Sequence, residues 1–135
     1  MTPHFITALL SSRIVLIVMR VLLTFVFWGA GLDKLINFQA TVAEMAHFGL
    51  NPPAAFGALA VFTLLASSLL IIVNRAAWLG FGALGVFLVL TIPIAHPFWA
   101  AEGQDALHHF RTAVEHISLI GGLLAGAILS VRRTA

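Results

Sequence analysis

Apolar residues in this sequence fall into four long blocks with polar punctuation between them. The first runs from Arg13 or Ile14 to about Leu35, a span expected over 14–35, and only Arg20 breaks it before Leu32. The second covers 54–73 and the third 76–95, and neither carries a charge. Only Asn74 and Arg75 divide them, and so short a link makes the two spans antiparallel neighbours in a hairpin. The fourth block is the informative one. Its uncharged run, Ile117 to Val131, holds 15 residues, about 22 Å of helix against a hydrocarbon core about 30 Å thick. The helix must therefore begin one to two turns earlier, giving a span over 109–131 and drawing Glu115, His116 and Arg111 to the edge of the hydrocarbon region.

Between the first two blocks the pattern changes. Asn37 stands as a cap, Phe38, Val42, Met45 and Phe48 recur near helical spacing, and Gln39, Glu44 and His47 supply the polar face. Gly49 and the pair Pro52, Pro53 close the segment. The spacing predicts an amphipathic helix over 38–48, about three turns, too short to cross a bilayer and expected to lie along the interface or to fold back over the helix ends. Residues 96–110 read as a polar connection, with Trp99, Glu102, Asp105, His108 and His109.

Composition fixes the solvent. Of 135 residues 61% are hydrophobic and 9% charged, against about 25% charged in an ordinary soluble domain, and mean hydropathy is +1.06. So few charges cannot coat a water-soluble molecule. The expected class is an all-α polytopic membrane protein: one domain, 1–135, built as a four-transmembrane-helix bundle with a short interfacial helix between spans one and two. The chain has no cysteine, which removes disulfides, thiolate metal sites and thiol exchange. A net charge of +2 without a dense basic patch gives no reason to expect a nucleic-acid partner. The first block is not expected to be a cleaved signal peptide, because Arg20 interrupts it and Phe25, Phe27 and Trp28 stand where small cleavage-site residues belong.

Four spans place both termini and the Asn74–Arg75 turn on one side. That side collects Arg13, Arg75, Arg132 and Arg133 without an acid, whereas the other holds Lys34 and Arg111 with Asp33, Glu44, Glu102, Asp105 and Glu115. The positive-inside rule makes the first side, with both termini, cytoplasmic. Every histidine except His4 then lies at or near the outer pole, with Trp78 and Trp99 in the two aromatic belts.

The outer histidines are the sharpest chemical signal. His109 and His116 lie seven apart and share a helix face, His108 and Glu115 share another line, and His96 ends the third span. His109 is expected to face the bundle and His108 the aqueous loop, since neighbours on a helix diverge by about 100 degrees. Such a group can ligate a metal, relay protons or hydrogen-bond a quinone carbonyl. About 10 Å separates two turns, too far for His109 and His116 to share one ion unaided, so no metal is assigned. The plain alternative is an interfacial, solvated set of histidines. Arg20, about 10 Å inside Arg13, has to snorkel, bind a lipid phosphate or find neutral acceptors such as Ser67, Ser68 or backbone carbonyls. Asp33 and Lys34, adjacent on a helix, do not face each other; partners considered for Lys34 are Glu115, Glu102 and Asp105. Glu44 and His47 are candidates to close over the same pole. Gly122 and Gly126 form a GxxxG pair, with Gly121 and Ala125 on the adjacent line, a face suited to close helix packing.

The order of these features resembles the DoxX family: an arginine in the first span, Gly31-x-x-Lys34-Leu35, then Gly49-Leu50-x-Pro52. A His96-x-Phe98-Trp99 after the third span and Ser118 with Gly121-Gly122 in the fourth continue the likeness, over roughly residues 13–128. The resemblance implies a small four-helix protein of the bacterial inner membrane, in a family named for a quinone-linked oxidoreductase subunit. Two departures stand out. Similar members often carry a glutamate in the second span, where Leu64 stands here, and a Lys-Asn pair where this chain has Glu115 and His116. The reading that results is an accessory or quinone-interacting component of a membrane redox system, whose ligand-binding candidates are His96, His109, His116, Glu115, Arg20 and Lys34. Electrons would come from a partner, since the chain holds no evident redox centre. The alternative is a scaffold or assembly subunit that docks another membrane protein, or a second copy, through Gly121, Gly122 and Gly126.

Overall fold

The computed structural model describes residues 2–132, and every regular element among them is helical. The chain runs α1 (His4–Leu10), α2 (Arg13–Leu23), α3 (Phe25–Ile36), α4 (Phe38–His47), α5 (Pro53–Ile72), α6 (Ala77–Ala95), a 3₁₀ turn (Phe98–Ala100) and α7 (Gly103–Arg132). Three helices, α5, α6 with its 3₁₀ extension and α7, are individually long and apolar enough to cross a membrane, and a bent α1–α2 pair makes up to four. Ile14, Ile36, Phe62, Trp78 and Leu124 are all more than 60% exposed, which is tenable only with lipid outside.

The span expected over 14–35 is not one continuous helix but is divided between α2 and α3. It breaks at Thr24, and α1 precedes it at an angle of 57° to α2. No proline or glycine causes the break at Thr24. The Thr24 hydroxyl donates to the Arg20 carbonyl at 2.7 Å, and the Trp28 indole N–H donates to the Val21 carbonyl at 3.3 Å. The Arg20 carbonyl, which also accepts the Thr24 amide at 3.1 Å, and the Val21 carbonyl thus gain side-chain donors at the break, as suits an apolar setting.

Helix ends follow from local chemistry. Ser12 caps α2 by accepting the Val15 amide at 3.2 Å. Pro53 opens α5 at its first turn, where an amide would lack a partner anyway. At the end of α5, Asn74 takes a left-handed φ of 56°, the Asn74 amide bonds Ile71 O and the Arg75 amide bonds Leu70 O. This is a Schellman closure with asparagine in the position glycine usually fills. α4 ends the same way at Gly49, φ 74°, with Leu50 N donating to Met45 O at 3.0 Å.

The largest correction concerns α7. The helix begins at Gly103 and not near 109, so residues 103–110, expected in a polar connection, form its first two turns. Its 30 residues make about 45 Å, longer than the core of the bilayer, which leaves the Gln104 to His109 end protruding at the pole.

α3 packs on α5, α5 on α6 and α6 on α7, while α2 reaches α7 and α4 lies across α5. The buried centre consists of Phe27, Leu64, Ile71, Phe81, Leu84, Leu88 and Leu123. Small residues set the helix separations. A Cβ on Gly80 would lie 2.6 Å from the Ser67 carbonyl oxygen, and one on Gly126 would lie 2.6 Å from the Phe81 ring. Gly122 and Gly126 therefore face Leu23 and Phe81 inside the bundle, and a docking face for another protein cannot use them as expected. Gly121 takes no part in that packing; it faces outward with nothing within 4 Å of its Cβ direction.

Candidate functional site

Five elements meet at one pole: the end of α3, α4, the start of α5, the end of α6 and the first half of α7. His96 stops α6, its amide donating to Ile92 O at 3.0 Å, and Pro97 prevents continuation. The His96 ring then meets α7. Its Nδ1 lies 3.3 Å from Nδ1 of His109, so one nitrogen of the pair carries a hydrogen and the other accepts it. On its other side the His96 ring meets His116 edge-on, with centroids 5.2 Å apart. Two turns of α7 that are too far apart to meet directly are thus joined through His96.

His116 is the unusual member. Its Nδ1 is buried and has no hydrogen-bond partner, a costly state for a ring nitrogen. The same side chain lines a cavity of about 760 Å³. The cavity is apolar over most of its wall, with Phe27, Leu64, Leu88 and Leu119 among its lining, and its polar groups are Lys34, Glu44, Thr63, Thr91, His96 and His116. An apolar space with few polar groups is the usual form of a small-molecule site.

Lys34 pairs with Glu44 of α4, and not with Glu115, Glu102 or Asp105. The physical reason is the fold-back after Asn37. Thr41 donates its hydroxyl to Lys34 O at 3.0 Å, and Glu44, one turn further on, comes beside the ammonium. Asp33, on the neighbouring line of α3, instead accepts from the Asn37 side chain at 2.7 Å. Glu44 lines the cavity, whereas His47 is exposed away from it.

Glu115 does not join the histidines. It is exposed and absent from the cavity wall, because a helix that turns His116 inward rotates its neighbour by about 100 degrees. Arg20 is also elsewhere. It lines a separate cavity of about 120 Å³ with Met19, Phe81, Gly126 and Ser130, at the other end of α7. Ser68 donates to its own helix at Leu64 O. His108 is exposed, its ring 5.9 Å from that of His109. Among the described residues no group of three or more His, Asp or Glu side chains has the arrangement to hold a metal ion.

Sequence reasoning missed Thr63 and Thr91 on the cavity wall and the close α5–α6 contact at Gly80. The signal for Gly80 was present: a small residue on α6 facing Ser67, another small residue, on a helix joined to it by a tight turn.

Helices of this length and apolarity, with lipid-facing exteriors, define a multi-pass membrane protein. The family model of DoxX matches residues 15–97, more than half of the 135 residues, and the chain belongs to the DoxX family. The match takes in Lys34, Glu44, Leu64 and His96, and ends before α7. Comparison with curated proteins and with solved structures finds no match in either set.

Proposed function

We propose that the protein holds a quinone or quinol at the histidine end of the 760 Å³ cavity, as an accessory component of a membrane redox system. The observation that carries this reading is the pair of imidazoles, His96 and His116, that stand together on the otherwise mostly apolar wall of that cavity. The donor set fits the group. Such a ligand supplies paired oxygens that take up protons on reduction and release them on oxidation. His116 offers an imidazole nitrogen at the polar end, and Lys34 an ammonium already held in place by Glu44.

The remaining imidazoles give the proton a way out. His116 abuts His96, His96 shares a hydrogen with His109, and His109 neighbours the exposed His108. Each ring can take a proton on one nitrogen and give it from the other, so the row leads from the cavity to water at the pole. With Arg13 and Arg75 on the opposite side, the histidine pole faces outward across a bacterial inner membrane. Electrons come from a partner protein. A scaffold role through α7 has less to stand on, since Gly122 and Gly126 are spent inside the bundle and the outward line is reduced to Gly121 and Ala125.

The test is quinone content. Protein purified in mild detergent should carry co-extracted quinone, measured by chromatography and mass spectrometry, and His116→Ala should weaken the affinity for added quinone by about 10-fold, the loss of one hydrogen bond from the ring. Quinone-free wild type that also fails to take up added quinone refutes the reading.

A further inference from the structure

The cavity joins two environments. Its wall includes the buried Phe27, Leu64 and Leu88 together with Leu59, Val86 and Leu90, which are more than half exposed to the lipid side. A ligand can therefore pass from the bilayer into the bundle without crossing water. The wall is also long. Trp78, Gly82, Val86, Leu90 and Ile94 follow at four-residue steps along α6 and lead to His96. From Trp78 to His96 is a helical rise of about 27 Å, whereas one leaflet of a core about 30 Å thick is about 15 Å deep. A phospholipid chain, confined to its own leaflet, covers about half of this length.

The polar end sets the head group. Among the described wall residues Lys34 and Glu44 alone carry a fixed charge, and they neutralise each other. A phosphate head would need an unmatched cation there. A neutral head with hydrogen-bonding oxygens needs none.

We infer that the ligand is a neutral isoprenoid amphiphile whose apolar chain is longer than one leaflet, taken up sideways from lipid, with its head at His116 and its chain along α6 past Gly82. This rests on the quinone reading and adds what the site selects: chain length and head-group charge. Gly82 is the position that reads the chain, lying about 21 Å along the helix from His96, beyond the reach of a single leaflet.

The experiment measures binding to the full-length protein in nanodiscs. The probes are an eight-isoprene benzoquinone, its one-isoprene analogue and a polyprenyl phosphate, each at matched mole fraction. Wild type should hold the long-chain quinone about 10-fold tighter than the short one, because only the long chain makes dispersion contacts along the far half of α6. Gly82→Phe, at a site where a Cβ meets nothing within 4 Å, should remove most of that preference and leave the short analogue unchanged. Val86→Trp, at a second exposed wall position, should act the same way. Equal affinity for both chain lengths, or a preference untouched by either variant, overturns the inference on chain length. Polyprenyl phosphate binding as well as the quinone overturns the inference on charge. His116→Ala should weaken both quinones alike; if it changes neither while Gly82→Phe still removes the preference, the head-group assignment fails and the chain-length inference stands.

Discussion

Gly80 and Gly82 lie two residues apart on α6, yet replacing each with alanine should have opposite effects. At Gly80 the added Cβ would sit 2.6 Å from the Ser67 carbonyl oxygen and 2.9 Å from Cγ1 of Ile71. Carbon–oxygen contacts between packed helices settle near 3.3 Å, so α5 and α6 must part by about 0.7 Å. The oxygen belongs to the backbone and cannot rotate aside, and Ile71 is fully buried, so the strain spreads into the Ile71, Phe81 and Leu84 packing. Overpacking of this kind costs about 1–3 kcal/mol. At Gly82 nothing lies within 4 Å, and alanine gains only the helix preference over glycine, about 1 kcal/mol. That preference is common to both variants and cancels in their difference. The difference therefore isolates the close contact, and the fixed oxygen puts it at the upper end of the 1–3 kcal/mol range. Unfolding in mixed dodecylmaltoside–SDS micelles, followed by far-UV circular dichroism, gives both midpoints in one experiment. Midpoints for Gly80→Ala and Gly82→Ala that agree within about 0.5 kcal/mol, the scatter of uninvolved positions, would show that the α5–α6 contact is not where the helices are held.

Three further outcomes are expected in the same assay. Ala76 sits in the left-handed region, φ 49° and ψ 39°, so Ala76→Gly should stabilise by about 0.5–1 kcal/mol; a loss would mean the α5–α6 turn is built differently. Thr24→Val and Trp28→Phe each remove a donor from a carbonyl at the α2–α3 break and should each cost about 1 kcal/mol, with no change expected from Trp99→Phe, whose side chain is exposed. Glu44→Gln should destabilise more than the paired replacement of Lys34 by Met and Glu44 by Leu. With side chains 20% and 41% exposed the coupling should be about 0.5–1 kcal/mol in a double-mutant cycle, and a coupling of zero removes the pair from the account of the pole.

The spans were legible because lipid imposes a simple demand, long uncharged helices, and their boundaries were marked by proline, glycine and asparagine with fixed backbone roles. The helix expected over 54–73 is Pro53–Ile72, and the short one expected over 38–48 is Phe38–His47. The break at Thr24 was not legible, since threonine and tryptophan in an apolar run carry no mark of the carbonyls they will serve. Nor was the length of α7: Gln104, Asp105, His108 and His109 look like a loop by polarity, but a helix that protrudes past the bilayer is free to be polar on all sides. At the site, helical spacing alone put His109 and His116 on one face. What it lacked was the register of the α4 fold-back, a tertiary detail that brings Glu44 and not Glu115 beside Lys34.

That choice of carboxylate bears on how this chain departs from the pattern its family resemblance suggests. Where similar members often carry a second-span glutamate, this chain has Leu64, which is 2% exposed and lies on the cavity wall. An acid at that depth would be a buried charge in need of a cation, and Lys34 is the one fixed positive charge among the described wall residues. Here the counter-charge comes instead from Glu44 on α4, at the edge of the cavity, where water still reaches the carboxylate. The pair is thereby closed at the pole, between α3 and α4, and does not extend into the bundle between α3 and α5. With no carboxylate at Leu64 the deeper wall stays apolar, as the proposed chain-binding groove requires. The two imidazoles on the cavity wall, His96 and His116, are then the groups that the proposed proton exchange can use without breaking the ion pair.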